Sequence, residues 1–577
     1  MLKTPYFNQK IQIILESTKP KECICAFTGE KWMMNEEEIS WYKKFQVPPS
    51  HHSPLTRMRL LTNTFSAGQW WYNKHAQTGK PIITWIHPAT GIRVLPDNEW
   101  FEKDFISENL DYDPSVSIFE QLWQLRLRIP KSACGNYETC ENAISAFSYG
   151  DINSYFVGAS KSKETLYSIV ALDTESSAEV YNSVNINNSY QVIRCERLFN
   201  CRYIQESKDC LNVYFAFDCR GCEFCFGATN KRNKTYLWFN DQLSKEEWEE
   251  RFAQIDLGDY MVVEQQREKF AKLLNNAIWP ENFNDKAEHS IGEYLSNSTD
   301  NQYVYTATGG ARGNAWCIWA IGNSQQNFFC ADPTEAQENY YTAGATNCHH
   351  CFYCMMVSRS QNCEYSLDLY DCENCFACVG LRHKNFCILN TQYSEKVYWE
   401  KLDEIKCQML ENGEYGDALP AKFSGCYFPE SGAVKYHLAD LQFGRQVGAH
   451  LFDPNSEDAI GEELMMTREV QDVSEIPMHV DDIEQVFGRV YLDPVLNRRF
   501  GFIKPEIVFY QKLHIAPPRT HQIERVRKIV MAANAGVFET NTCQKCTKEI
   551  IVAKNSTFTK RLIYCRPCYL TFIEDTN

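Results

Sequence analysis

The sequence predicts a mainly β protein with α insertions, built as two β-solenoid-like blocks flanked by a duplicated end module. Three observations carry this reading. Residues 25–100 recur at residues 493–569 with an offset of 468 that becomes 469 towards the end of the module. The middle of the chain is also doubled: Asp218-Cys219-Arg220-Gly221-Cys222-Glu223-Phe224-Cys225 matches Asp371-Cys372-Glu373-Asn374-Cys375-Phe376-Ala377-Cys378. Within that middle, cysteines keep a nine-residue spacing, at Cys201, Cys210 and Cys219 and again at Cys354, Cys363 and Cys372, while Cys330 and Cys348 stand eighteen apart. A short spacing held over many steps marks a solenoid in which like residues stack. Coils of about 18 residues are expected, with small cysteines at inward corners and asparagines in turn ladders.

The first element, residues 1–105, is a short lead-in over 1–22 followed by the first end module. Glu38-Ile39-Ser40-Trp41-Tyr42-Lys43-Lys44 recurs as Glu506-Ile507-Val508-Phe509-Tyr510-Gln511-Lys512, and Arg57-Met58-Arg59 as Arg525-Val526-Arg527. At the positions of His75 and Thr78 the second copy has Cys543 and Cys546; at those of Pro96 and Glu99 it has Cys565 and Cys568. Two Cys-x2-Cys knuckles, eighteen residues apart, place four thiolates around Zn²⁺. Four protein ligands leave no position for water, so the expected cofactor is one structural zinc. Both modules are therefore zinc-ribbon-like, and the first is degenerate. Cys25 and His75 are its candidate weak metal ligands, and its tryptophans are expected to replace the lost ion with an apolar core.

A linker helix is expected over 106–131, where Ile118, Leu122 and Leu125 have helical spacing and Pro130 stops the run. Residues 132–243 form the first Cys/Asn-rich solenoid block. A helical insert follows over 244–288, opened by the capping box Ser244-Lys245-Glu246-Glu247. The second block covers 289–393, a helix and mixed connecting segment 394–490, and the second module 491–577. Phe239-Asn240-Asp241-Gln242-Leu243-Ser244 matches Leu389-Asn390-Thr391-Gln392-Tyr393-Ser394, each ahead of a helix that caps its block. Between the two matched stretches the offset slips from 153 to 150, which reads as a loop indel.

At 577 residues the chain is too long for one core, and 44% hydrophobic and 14% aromatic content is ample for globular packing. No run of 18 apolar residues argues for a membrane span. The opening residues are too short and polar for an export signal. The 26 cysteines are then expected as reduced thiols or metal ligands in a cytoplasmic protein. The net charge of −16 is unevenly placed: residues 40–93 hold seven Lys/Arg and no acid, and residues 510–568 hold eleven against three acids. The basic ends either bind a polyanion by neutralising phosphates or dock on the acidic middle.

No P-loop, H-E-x-x-H or nucleophile elbow is present. Gly309-Gly310-Ala311-Arg312-Gly313 reads as a turn. Asp218 and Asp371 are the obvious acids for cleaving a glycan in a solenoid groove, but equivalent positions before a cysteine cluster favour turn capping. The Cys-x2-Cys-x2-Cys runs at 219/222/225, 348/351/354 and 372/375/378 lack the fourth cysteine and following proline of a ferredoxin pattern, and read as stacked core thiols.

The order of a module with E-x-x-W/F-Y-x-K and R-x-R, then Phe119-Glu120-Gln121-Leu122, then Asn/Cys/Tyr-rich repeats closing in Cys375-Phe376-Ala377-Cys378-Val379-Gly380-Leu381-Arg382, resembles an uncharacterised family. This is a zinc-ribbon-containing, cysteine-rich repeat family of candidate-phylum (ultrasmall) bacteria. The resemblance covers nearly the whole chain, is most specific over 371–400, and implies no activity. It implies a further pair of knuckles in the first half of the module, which here fall on Cys25, Thr28, Ser53 and Thr56.

The expected function is a non-catalytic zinc-binding scaffold. Its partner is RNA or DNA, a ribonucleoprotein or another protein, met through Lys512, Arg519, Arg525, Arg527, Lys528, Lys560 and Arg561, with Phe509 and Tyr510 either stacking on bases or, as such residues more often are, packed in the core. The alternatives are a polysaccharide-active solenoid enzyme and a metal-storage or redox protein using the triple-cysteine runs.

Overall fold

In the computed structural model, which describes residues 3–452 and 469–577, every third residue from Glu164 to Phe239 has a left-handed backbone, and so does every third from Gln326 to Leu389. That periodicity is the grammar of the fold. Each triplet places one side chain inward and one outward, then turns the chain at a left-handed corner. Asn, Asp and Gly recur at the corners, being the residues that tolerate this conformation best. From Val180 to Ala228 the inward residue of each triplet is buried at 3% exposure or less, and it is Val, Ile, Leu, Ala, Ser or Cys throughout. The bore is too narrow for anything larger.

Strand register gives the coil length: Ile169 pairs with Tyr181, Val180 with Val192, Val192 with Ile204 and Ala216 with Ala228, all in parallel. A coil is thus 12 residues, four triplets, which corrects the expected 18. A nine-residue interval spans three of four sides, so Cys201, Cys210 and Cys219 step backwards around the bore from coil to coil. Cysteines that stack in one column are 12 apart, as are Cys351, Cys363, Cys375 and Cys387, each buried at 0% exposure. Each bore thiol has carbonyls to donate to. Cys201 Sγ lies 3.4 Å from the Phe199 oxygen and 3.5 Å from that of Cys210, and Cys354 repeats the pattern towards Phe352 and Cys363.

Early coils of the second block are 13 residues long, Gln302 pairing with Ala315 and Ala315 with Phe328. The wider corner is filled by the expected asparagine ladder. Asn301, Asn314, Asn327 and Asn339 stack with each Oδ1 accepting from the backbone and side-chain nitrogens of the next, at 2.9–3.1 Å. Gly309 fits because a Cβ there would lie 3.1 Å from the Gly322 Cα on the adjacent coil.

Each block ends in an antiparallel hairpin, Leu237 pairing with Gln242 and Cys387 with Gln392. Asn240 and Asn390 accept from the N–H groups of Thr229 and Val379 one coil back, both at 2.9 Å. Helices Lys245–Phe252 and Glu395–Glu411 follow, the first with the predicted Ser244–Glu247 capping box. These landmarks hold an offset of 150 back to Tyr190 and Tyr340, so Asp368, not Asp371, is the structural counterpart of Asp218. The 153-residue match is the triplet grammar shifted by one side, not an indel. The second block's first strand, Asp285–Glu288, pairs with Ile291–Thr299, so its coils start within the stretch read as the end of the helical insert. Part of the expected 394–490 segment lies outside the described residues.

The two halves are related by an approximate two-fold exchange. In the first module a hairpin, Trp71–Lys74 with Pro81–Thr84, is followed by a strand that pairs with Lys131-Ser132 just before the first block. In the last module the hairpin Phe538–Thr542 with Glu549–Ala553 is followed by Leu562–Tyr564, which pairs with Ile278–Pro280 just before the second block. Each module also sends a helix across to the opposite block. Tyr42 and Phe45 of Glu36–Phe45 pack on Tyr340 of the second block, and Phe509 and Tyr510 of Lys504–Leu513 pack on Tyr190 of the first. The lead-in is a helix, Pro5–Ser17, anchored by Asp403 accepting from the N–H groups of Tyr6 and Phe7.

Between the blocks, the Arg194 guanidinium lies 3.7 Å from the Tyr294 ring and its Nη1 donates to Thr306. Tyr294 donates to Glu206 at 2.8 Å. Burial nevertheless pushes the Glu206 carboxyl up to about 8 against the pull of Arg194 and Tyr294. Unfolded, it titrates near ~4.3, so between those values the folded state holds the extra proton and stability falls as pH rises. Thermal unfolding is expected to show this decline between about pH 5 and 8, and Glu206→Gln should flatten it.

Candidate metal centre

The quartet foreseen at the tail comes together. Cys543 closes the strand Phe538–Thr542, and the turn after it is held by Cys543 N–H donating to Lys548 O and Thr547 N–H to Cys543 O, both at 2.8 Å. Thr547 takes a left-handed backbone (φ 63°), which folds the knuckle back into the strand Glu549–Ala553. Cys565 is the N-cap of the helix Arg566–Thr576 but makes no side-chain cap bond, leaving its sulfur free, and Cys568 sits one turn on. The four sulfurs lie within 4.8 Å of one another, with Cys546 and Cys565 Sγ 3.6 Å apart. Burial alone would raise the Cys543 thiol, but N–H groups of Cys565, Cys546 and Lys545 bring it down to about 6. Cys543 and Cys565 are buried against Trp279, Ile550, Val552 and Ile563, whereas Cys546 is exposed. Soft donors, thiolate-favouring N–H groups and a closed four-sulfur set fit a tetrahedral metal ion.

The corresponding place in the first module is bridged by a hydrogen bond. His75 Nε2 lies 3.2 Å from Glu99 Oε1, and His75 Nδ1 accepts from Gln77 and Thr78 N–H groups. Cys25 lies elsewhere, 3.3 Å from Thr56 Oγ1, and Thr56 is 3.1 Å from Ser53 Oγ. Cys25 and His75 thus belong to two separate knuckle positions, and neither joins a metal-ligand group among the described residues. Cys25, Thr56 and Ser53 form a chain of side-chain hydrogen bonds. In the last module the same place holds Asp493 and His521, with Asp493 Oδ2 accepting from His521 N–H at 2.7 Å. Among the described residues, one group brings four cysteine thiols together.

The basic residues singled out in the last module are largely engaged inside the molecule. Arg525 is buried and pairs with Glu179 and Glu506 at 3.0 and 2.9 Å. Arg527 grips Glu524 through two bonds, and Arg519 donates to Val473 and Ile476 carbonyls while covering Tyr260. Arg561 donates to Ala553 O and covers Trp279. Lys512 is exposed with Glu164 at 3.9 Å, and Lys528 and Lys560 are exposed. Phe509 and Tyr510 are buried in packing. The contacts Arg525–Glu179 and Lys512–Glu164 tie this module to the acidic first block, the second of the two uses of basic charge weighed above.

The other candidate chemistry is occupied likewise. Asp218 is at a left-handed corner and takes bonds from Arg232, Asn230 and Tyr569. Asp371 is at another such corner, on the other block, paired to Arg359 at 2.7 Å. The triple-cysteine runs line successive sides of one coil layer and form no metal-ligand group among the described residues. Burial pushes Cys201 up to about 12, whereas hydrogen bonds from neighbouring thiols pull Cys222, Cys363, Cys372 and Cys387 down. One cluster escaped sequence reasoning altogether: Asp256, His479 and His514, from three distant segments, also bring their donor atoms within 4.8 Å. No local spacing signals it. Among the described residues, no helix is long and apolar enough to cross a membrane. No family model matches the chain, and neither a curated protein nor a solved structure matches it, so the reading of its function rests on this geometry.

Proposed function

We propose that the chain is a non-catalytic zinc-binding scaffold: a rigid double solenoid that works by binding, with a zinc-ribbon-like tail module locked by one structural Zn²⁺. The observation that carries this reading is the closed set of four cysteine sulfurs, which offers an ion four protein ligands and no position for substrate. The pairing of Asp218 and Asp371 with arginines points the same way. The protein purified and dialysed should retain one tightly held zinc, lost in Cys546→Ser.

A polyanion partner, RNA, DNA or a ribonucleoprotein, would meet Lys512, Lys528 and Lys560, whose side chains reach solvent. Three contacts set a modest salt dependence, a slope of about −2 to −3 in log K against log salt. Binding of the whole chain to RNA or duplex DNA at rising salt tests this, and the triple Lys→Glu variant should abolish it. Absence of binding at low salt would remove nucleic acid as the partner and leave a protein in its place.

A further inference from the structure

Asp256, His479 and His514 converge far along the chain from one another. Asp256 lies in the turn between helices Lys245–Phe252 and Tyr260–Leu274, His479 precedes the short helix Val480–Val486, and His514 ends the helix Lys504–Leu513 with a left-handed backbone (φ 50°). Asp256 Oδ1 is 2.7 Å from His514 Nε2, and Oδ2 is 3.0 Å from His479 Nε2. The backbone fixes all three segments together: Val480 N–H donates to Gly258 O, Tyr260 N–H to Met478 O and Ala516 N–H to Leu257 O. Space for the His514 ring is made by Gly258, where a Cβ would lie 2.6 Å from His514 Nε2.

His479 Nδ1 accepts from the Asp481 N–H at 3.2 Å, which orients the ring. One further detail favours a ligand over a plain ion pair. The first module has no counterpart: the residue equivalent to His514, at the left-handed end of Glu36–Phe45, is Gln46. The cluster therefore belongs to one half only and is not imposed by the shared architecture.

We propose that Asp256, His479 and His514 form a second metal site, for a first-row divalent cation of the Zn²⁺ type, distinct from the cysteine quartet. Two imidazoles and one carboxylate are donors that suit zinc, nickel or copper better than the oxygen-loving magnesium or calcium. Three protein ligands at an exposed site leave coordination positions open to water or to a group on a partner. The quartet, by contrast, is closed.

Cobalt separates the two sites on the full-length protein, because only thiolate ligands give an intense charge-transfer band. The first equivalent of Co²⁺ added to metal-free protein should raise that band. A second should add visible absorption of a nitrogen–oxygen site with no further charge transfer. His514→Gln, the residue the first module carries, and His479→Ala should lose the second step and keep the first. Wild-type protein taking up no cobalt after the charge-transfer band saturates, or His514→Gln and His479→Ala binding the second equivalent as well as wild type, would overturn the proposal. The quartet is read by its own band, so that failure leaves the structural ion untouched, and a missing band would count against the quartet alone.

Discussion

Cys565→Ser is expected to melt residues 538–576 of the last module while leaving both solenoid blocks wound. Structural zinc contributes about 10–16 kcal/mol of apparent binding free energy in small domains, and a three-thiolate remnant keeps only part of it. Little else holds the 538–576 stretch together. Its hairpin and the strand Leu562–Tyr564 are short, and the core beneath them is Trp279, Ile550, Val552 and Ile563 around Cys543 and Cys565 themselves. Loss of the ion should free the helix Arg566–Thr576, and with it the bond from Tyr569 to the buried Asp218 and the Tyr569–Arg232 contact. Amide exchange over 538–576 should rise towards the unfolded rate in Cys565→Ser and in wild type stripped by chelator, and Trp279 fluorescence should shift to that of a wet indole. Bore amides such as those of Cys354 and Cys372 should stay protected. Protection of 538–576 that survives chelation would mean that packing, not an ion, holds the module.

How much of this was legible beforehand follows from how locally each feature is encoded. The quartet was legible because a knuckle needs only two cysteines three residues apart and a turn between them. The modules' duplication was legible from Glu38, Tyr42 and Arg57 recurring as Glu506, Tyr510 and Arg525. The solenoid was legible as a class, but its coil length was not. The eye finds cysteines, yet the bore accepts Ser, Val, Ala, Ile and Leu equally, so cysteine spacing samples the triplet phase without revealing where a coil closes. Parallel register between Val180, Val192 and Ile204 closes it at 12. The basic stretches were legible as charge but not as destination, since Arg525 meets Glu179 from 346 positions away in sequence. The Asp256–His479–His514 cluster needed the same long-range information.

Arg525→Met is expected to cost about 3–5 kcal/mol, the penalty for stranding buried carboxylates. The same change at the equivalent Arg57 should cost less. Arg525 sits between Glu179 and Glu506, both buried, with Tyr510 donating to Glu506 at 2.9 Å. Arg57 pairs with Glu38 alone and lies 3.7 Å from the ring of Phe329, which occupies the place of Glu179 on the other block. The two halves have thus solved one packing problem in two ways, with a carboxylate in one and an aromatic face in the other. Glu179→Phe should accordingly be mild by itself, since Arg525 keeps Glu506 and gains a ring, as Arg57 has. In the Arg525→Met background it should recover part of the loss by removing one stranded charge. A double-mutant cycle from denaturation midpoints measures the coupling. The deficit of Arg525→Met should also shrink as pH falls towards 5. A stranded glutamate's folded value rises above its unfolded one, so the penalty is present only while it is ionised above the unfolded value. A deficit independent of pH, or equal at Arg57 and Arg525, would mean that the arginines act as packing volume and not as the charge that keeps opposite module and block together.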